Sequence, residues 1–260
     1  MRNSNIKTAK TILTITAIFL FASTLANAYT IDGDLSDWGV TPFSNWQPSS
    51  ATAAWDEGNH TGSNPYPHGG ETFDIEALYV DTDDDYIYIA VVLSMPPEGV
   101  DSLYNRHYFA GDIGLNLDND GSTGEDGYEF GLGTHPGNIG QLFYMPDWSL
   151  PNGSVGIPAN GPSTIESGIF VANASMIYAN AGDLEGNGTD TFIIETAISL
   201  ADIGHEITQF DVHFTIDCGN DILEVASMVP TQNIPEPSTI VILGAGLAFT
   251  AGVIRRKLNM

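Results

Sequence analysis

The sequence predicts an all-β domain, an antiparallel β-sandwich, held between two targeting segments. Three observations predict it. Short runs of alternating or β-branched residues recur from residue 75 to 229, with turn residues between them. No long stretch shows the 3.6-residue apolar period of a helix. Uninterrupted apolar runs flanked by cations occur only at the two chain ends.

Charge separates those ends from the middle. Of seven Lys and Arg, three lie in the first ten residues (Arg2, Lys7, Lys10), three close the chain, and Arg106 stands alone between them. Tyr29 to Ile234 carries 32 of the 33 acidic residues, a formal charge of −31. Such a surface repels nucleic acid and anionic lipid and attracts cations. Its aromatics and alternating strands exclude a disordered acidic tract.

The first element is a secretory signal. A basic "MRNSNIKTAK" precedes the apolar "TILTITAIFLFASTL", and "ANA" supplies a small-x-small cleavage site at Ala28. Residues 1–28 are therefore expected to be removed, leaving an exported domain over 29–232. A single cysteine, Cys218, permits no internal disulfide, so the core must hold the fold. Its expected state is a buried structural thiol.

The domain opens on "YTIDGDLSDWG", whose Trp38 is expected to be structural, in a first strand. Residues 41–73, rich in Ser, Asn, Pro and Gly, form a long loop. "IEALYV" and "YIYIAVVLSM" make a hairpin across "DTDDD", an acidic turn. "DIGLNL", "QLFYM", "GIFVANASMIYA", "TFIIETAI", "DVHFTI" and "ILEVASMV" supply further strands, and "SLADIG" one helical turn. No internal repeat is visible, and the size suits one domain.

"YTIDGDLSDWG", "FDIEALYVDTDDDYIYIAVVL" and "TFIIETAISLADIG" together resemble the family 9 carbohydrate-binding-module-like sandwich. That resemblance implies a calcium-binding β-sandwich that often binds sugar. Sugar modules stack pyranose rings on exposed aromatic side chains beside amides and carboxylates. The candidates are Trp46, Trp55 and Tyr66 in the long loop and Trp148 in "PDWSLPNG".

The metal candidate is "LNLDNDGSTGEDGYEF". Asn116, Asp118, Asp120 and Gly121 follow the spacing with which calcium loops begin, where alternate side chains converge on a hard cation. The twelfth position is Gly127 rather than a bidentate Glu, and the flanks are strands, so this is no EF-hand. Glu125, Asp126 or Glu129 could complete the set. All-oxygen ligands favour calcium over zinc.

Enzyme signatures are weak. "HEITQ" at His205 has Gln209 where a zinc protease has its second His. Acid pairs are common in so acidic a chain, and no phosphate loop or catalytic triad is evident. The expectation is a non-enzyme.

The last element starts at Pro235-Glu236-Pro237. A 15-residue Gly-containing apolar run follows (Ile240–Ile254), then Arg255-Arg256-Lys257. As a helix it would be about 22 Å long, short for a bilayer core of about 30 Å. The cations stay cytoplasmic and the acidic domain stays outside. These parts, in this order over residues 233–260, closely resemble the PEP-CTERM sorting signal. The resemblance implies a Gram-negative surface protein, held transiently in the inner membrane and cleaved by an exosortase. The expected function is an exosortase-processed surface or exopolysaccharide-matrix protein whose sandwich binds glycan. A structural matrix protein is the alternative, and an exported glycoside hydrolase the third reading.

Overall fold

The computed structural model describes residues 29–42, 46–55, 70–101, 106–149, 161–204, 207–219 and 221–228. The signal segment 1–28, Tyr66 and the 233–260 tail with its expected helix lie outside the described residues. Among the described residues no helix is long and apolar enough to cross a membrane.

The strands are β1 (Thr52–Trp55), β2 (Ile75–Thr82), β3 (Tyr86–Leu93), β4 (Val100–Asp101), β5 (His107–Tyr108), β6 (Ile113–Asn116) and β7 (Phe130–Leu132). They continue as β8 (Gln141–Ser149), β9 (Thr164–Asn173), β10 (Ser175–Gly182), β11 (Thr191–Ser199), β12 (Gln209–Thr215) and β13 (Ile222–Met228). The one α-helix described, α1 (Leu200–Ile203), is a single turn ended by Gly204 in the left-handed conformation. Each strand pairing is antiparallel. The all-β expectation therefore holds.

Five strands form one sheet in the order β1-β2-β3-β11-β10, and six form another in the order β13-β12-β6-β7-β8-β9. A single apolar cluster draws on both: Leu78, Ile89, Val91 and Ile194 from the first, Leu115, Phe130, Leu142 and Phe214 from the second. Asp221 bonds to one strand of each sheet. Its Oδ2 accepts the Ile75 N–H at 2.6 Å and its Oδ1 the Ile222 N–H at 2.9 Å.

Strand β3 is the middle of its sheet and reads "YIYIAVVL", an almost unbroken apolar run. Such a strand is buried on both faces. The cover over the second face involves Leu35, Trp38, Val40 and Trp46, all buried. Trp38 is fully enclosed, 5.9 Å from the ring of Tyr79. It is structural as expected, but it stands in a turn and not in a first strand. The Asp32 and Asp34 carboxylates accept N–H groups two residues on, which holds this segment in turns.

Three boundaries also differ from expectation. The long loop contains β1 and a single 3-10 turn, Glu71–Phe73. The three-residue β7 is too short to announce itself. "GIFVANASMIYA" is two strands in different sheets, β9 and β10, which part at Ala174. The Ala174 N–H donates to the Gly140 carbonyl at 2.8 Å, which anchors this corner.

Candidate functional site

The three candidate tryptophans do not form one platform. Trp46 is buried, and its carbonyl accepts the Tyr79 hydroxyl at 2.7 Å. Trp148 is buried as well, its backbone N–H donating to Glu125 Oε2 at 2.8 Å. Trp55 is half-buried at the end of β1. Burial leaves Trp46 and Trp148 no open face for a sugar ring.

The 116–129 loop is well formed but its acids are dispersed. Asp118 Oδ1 accepts the Asp120 N–H at 2.9 Å. Asp120 Oδ1 takes both the N–H and the hydroxyl of Ser122, at 3.0 and 2.6 Å, and these bonds lower its pKa. Glu125 is committed to Trp148, and Asp126 sits beside Gly161. Asn119 and Asp126 have φ of 55° and 53°, the left-handed conformation that Asn and Asp tolerate best among residues with side chains.

Glu129 closes the loop from beneath. Its Oε1 accepts the N–H groups of Leu117 and Asp118 at 2.6 and 3.0 Å. It is 2 % exposed, and burial raises its pKa while those two N–H groups pull it down. Glu129 Oε2 and Asn116 Oδ1 are buried without a hydrogen-bond partner. Of the six acids and amides named from the sequence, Asp118 and Glu129 are the two that line a common cleft.

That cleft has a volume of about 520 Å³. Phe130 and Tyr144 line it from β7 and β8, Ile169 and Val171 from β9, and Ile203 from α1. Phe130 and Tyr144 are direct cross-strand partners with ring centroids 5.1 Å apart. Tyr144 is 39 % exposed, so its ring is offered to solvent on this wall. Tyr144 stands in the strand run "QLFYM", where nothing in the sequence marks it as a site residue. Tyr144 shares the parity of buried Leu142 on β8 yet is exposed, which only the packing reveals.

A second acidic group was not anticipated. Ligand oxygens of Glu71, Asp74 and Glu76 lie within 4.8 Å of one another. Glu71 is in the 3-10 turn, Asp74 caps it, and Glu76 occupies a β-bulge where the pairing of β2 with β3 skips between Ile75 and Ala77. The Asn187 side-chain amide, from the β10–β11 loop, donates to Glu71 Oε1 at 2.7 Å and to Glu185 Oε2 at 3.1 Å. Burial first, then Asp74, Glu185 and Glu71, raise the pKa of Glu76 far above the carboxylate range.

The family model of the PEP-CTERM protein-sorting motif matches residues 233–257. No curated protein and no solved structure gives a significant match. The motif marks the chain for exosortase and for export by membrane-associated sorting to the cell surface.

Proposed function

We propose that this exosortase-sorted surface chain carries a non-catalytic β-sandwich that binds a saccharide of the extracellular layer in the cleft beside Tyr144. The observation that carries the reading is the composition of that cleft. One exposed aromatic ring stands among apolar walls, with the Asp118 carboxylate on the same lining. A pyranose ring offers a C–H face to an aromatic and hydroxyl donors to carboxylates, so this combination suits a sugar. A Gram-negative envelope and its exopolysaccharide matrix are the setting this reading implies. Calcium at the 116–129 loop belongs to the same reading, supported by the buried, unpartnered oxygens of Asn116 and Glu129.

The geometry favours binding over hydrolysis. A glycosidase needs two carboxyls that reach the scissile bond. Glu129 holds two backbone N–H groups with one oxygen, and its other oxygen has no exposed surface. It cannot deliver a proton to a bound glycoside without rearrangement.

The test is a glycan array with the exported protein, in calcium and in chelator, repeated with Tyr144→Ala. Loss of the aromatic should weaken binding by about 1–3 kcal/mol, by comparison with other ring-stacking sites. A protein that binds no polysaccharide would be a structural matrix component. Release of reducing sugar would make it a hydrolase. Processing is checked separately by intact mass: the surface form from the native host should lack Ile240–Met260, and a full tail there would make the segment an ordinary anchor.

A further inference from the structure

We propose that Glu71, Asp74, Glu76 and Glu185 hold a divalent cation, calcium, at the end of the five-stranded sheet. This site is separate from the 116–129 loop and does not depend on the glycan reading.

Two independent observations carry it. The first is convergence: carboxylate oxygens of Glu71, Asp74 and Glu76 lie within 4.8 Å of one another. The second is an empty ligand position. Glu76 is only 4 % exposed, yet its Oε1 is buried with no N–H or O–H donor, and so is Oε1 of half-buried Glu185, whose carboxyl it faces. A buried carboxylate oxygen left bare is costly, and native structures leave few of them unsatisfied.

Local structure is arranged to bring these groups together. The bulge at Glu76 adds one residue between two ladder pairs, and bulges re-aim side chains next to functional sites. A second bulge, between Asn180 and Gly182, leads into the loop that delivers Glu185 and Asn187. That loop holds its own shape: Asp183 accepts the N–H groups of Asn187 and Gly188 at 3.1 and 3.0 Å, and Asn187 Oδ1 accepts that of Thr189 at 2.8 Å. With Asp183 so engaged, Glu185 is left to face the cluster, and Asn187 fixes the outer oxygens of Glu71 and Glu185.

Among the described residues no Lys or Arg neutralises the group. Arg106 is the sole Lys or Arg among the described residues, and it lines a different pocket with His107 and Asp217. An all-oxygen, carboxylate-rich set selects a hard ion. Calcium accepts six to eight oxygens in flexible geometry, whereas magnesium demands a regular octahedron and keeps its water. Half-buried Glu71 and Glu185 leave room for water on the outer side.

The experiment uses the full-length chain in detergent, stripped with chelator and titrated with terbium. Emission is sensitised by Tyr79, three residues along β2 from Glu76 and beside Trp38. Calcium then displaces the terbium. Thermal melts in calcium, magnesium and chelator run in parallel, on wild type, Glu76→Gln, Glu71→Gln and Asp118→Ala. Glu71→Gln changes a half-exposed position, so it reports even if Glu76→Gln fails to fold.

The expected result is a saturable site in the range of about 0.1–1 mM calcium. It should raise Tm by about 3–5 °C at millimolar calcium, with magnesium giving a smaller shift. Asp118→Ala should keep the sensitised site, and Glu71→Gln should weaken it about tenfold or more. Absence of the site from wild type, its persistence unchanged in Glu71→Gln, or its loss in Asp118→Ala alone overturns the proposal. Failure at Tyr144 in the glycan assay would leave these outcomes untouched.

Discussion

Glu195 shows how single residues are satisfied in a domain almost without basic side chains. It is fully buried, and each oxygen is filled by an N–H group. Trp38 Nε1 donates to Oε1 at 2.7 Å, while the Asp32 and Gly33 N–H groups donate to Oε2 at 3.0 and 2.9 Å. Burial raises its pKa and these donors oppose the rise. Asp112 follows the same plan. Its oxygens accept the N–H groups of Thr134 and Ile165 at 2.6 and 2.7 Å and the His135 ring nitrogen at 3.0 Å. We predict that Trp38→Phe, which keeps an aromatic ring but removes the indole donor, costs about 1–3 kcal/mol in urea unfolding. Trp38→Ala should cost about 3–5 kcal/mol because it also opens a cavity. A Trp38→Phe variant as stable as wild type would mean that the Glu195 bond contributes nothing.

At the scale of elements, the six-stranded sheet depends on glycine where a ring crosses it. Gly131, in the middle of β7, lies under Trp148, and a methyl group there would meet Trp148 Cη2 at 2.8 Å and Ile165 Cδ1 at 2.9 Å. Both neighbours are buried, so neither can swing out freely. We predict that Gly131→Ala destabilises by about 1–3 kcal/mol through overpacking. Gly121→Ala, with open space around it, should stay within about 0.5 kcal/mol. Matching urea midpoints for the two variants would refute the account of Trp148 as a structural cover. The same packing explains why Trp148 was misleading as a sugar candidate: "PDWSLPNG" reads as a loop, whereas Trp148 lies on β8.

For the whole molecule, the formal charge of −31 over Tyr29–Ile234 sets the response to pH. Burial raises the pKa of Glu195, and it raises that of Asp217 to about 6 against opposition from the Phe109 N–H, His107 and His135. Bonding to Asp112 raises that of His135. A group with a raised folded pKa contributes stability that is complete below its unfolded value and lost as pH rises through the folded one. For Asp217 the loss runs from about 4 to about 6. For His135 it lies above about 6.5. Glu224, lowered by its bond to His213, acts in the opposite sense and loses its contribution as pH falls. The raised groups prevail, so in chelator Tm should be higher at pH 5 than at pH 8, with Asp217→Asn reducing the difference. A Tm that is flat or rises over that interval would contradict this.

Several strands could be read from the sequence because alternation is local. β2, β3, β11, β12 and β13 all stand where their apolar runs and turns put them, and so does the single turn of α1. The sorting tail was equally legible, since a short linear signal carries its meaning in residue order. Tertiary structure decided the rest. Period-two alternation continues through Ala174, so only the corner shows that β9 and β10 belong to different sheets. The cover over β3 depends on where Trp38 and Trp46 come to rest. The four-carboxylate cluster joins "ETFDIE" to "DLEGNGTD", segments more than a hundred residues apart, through two bulges and a loop. Local order can announce a strand or a signal, but a site built across distant chain segments exists only once the sheets have paired.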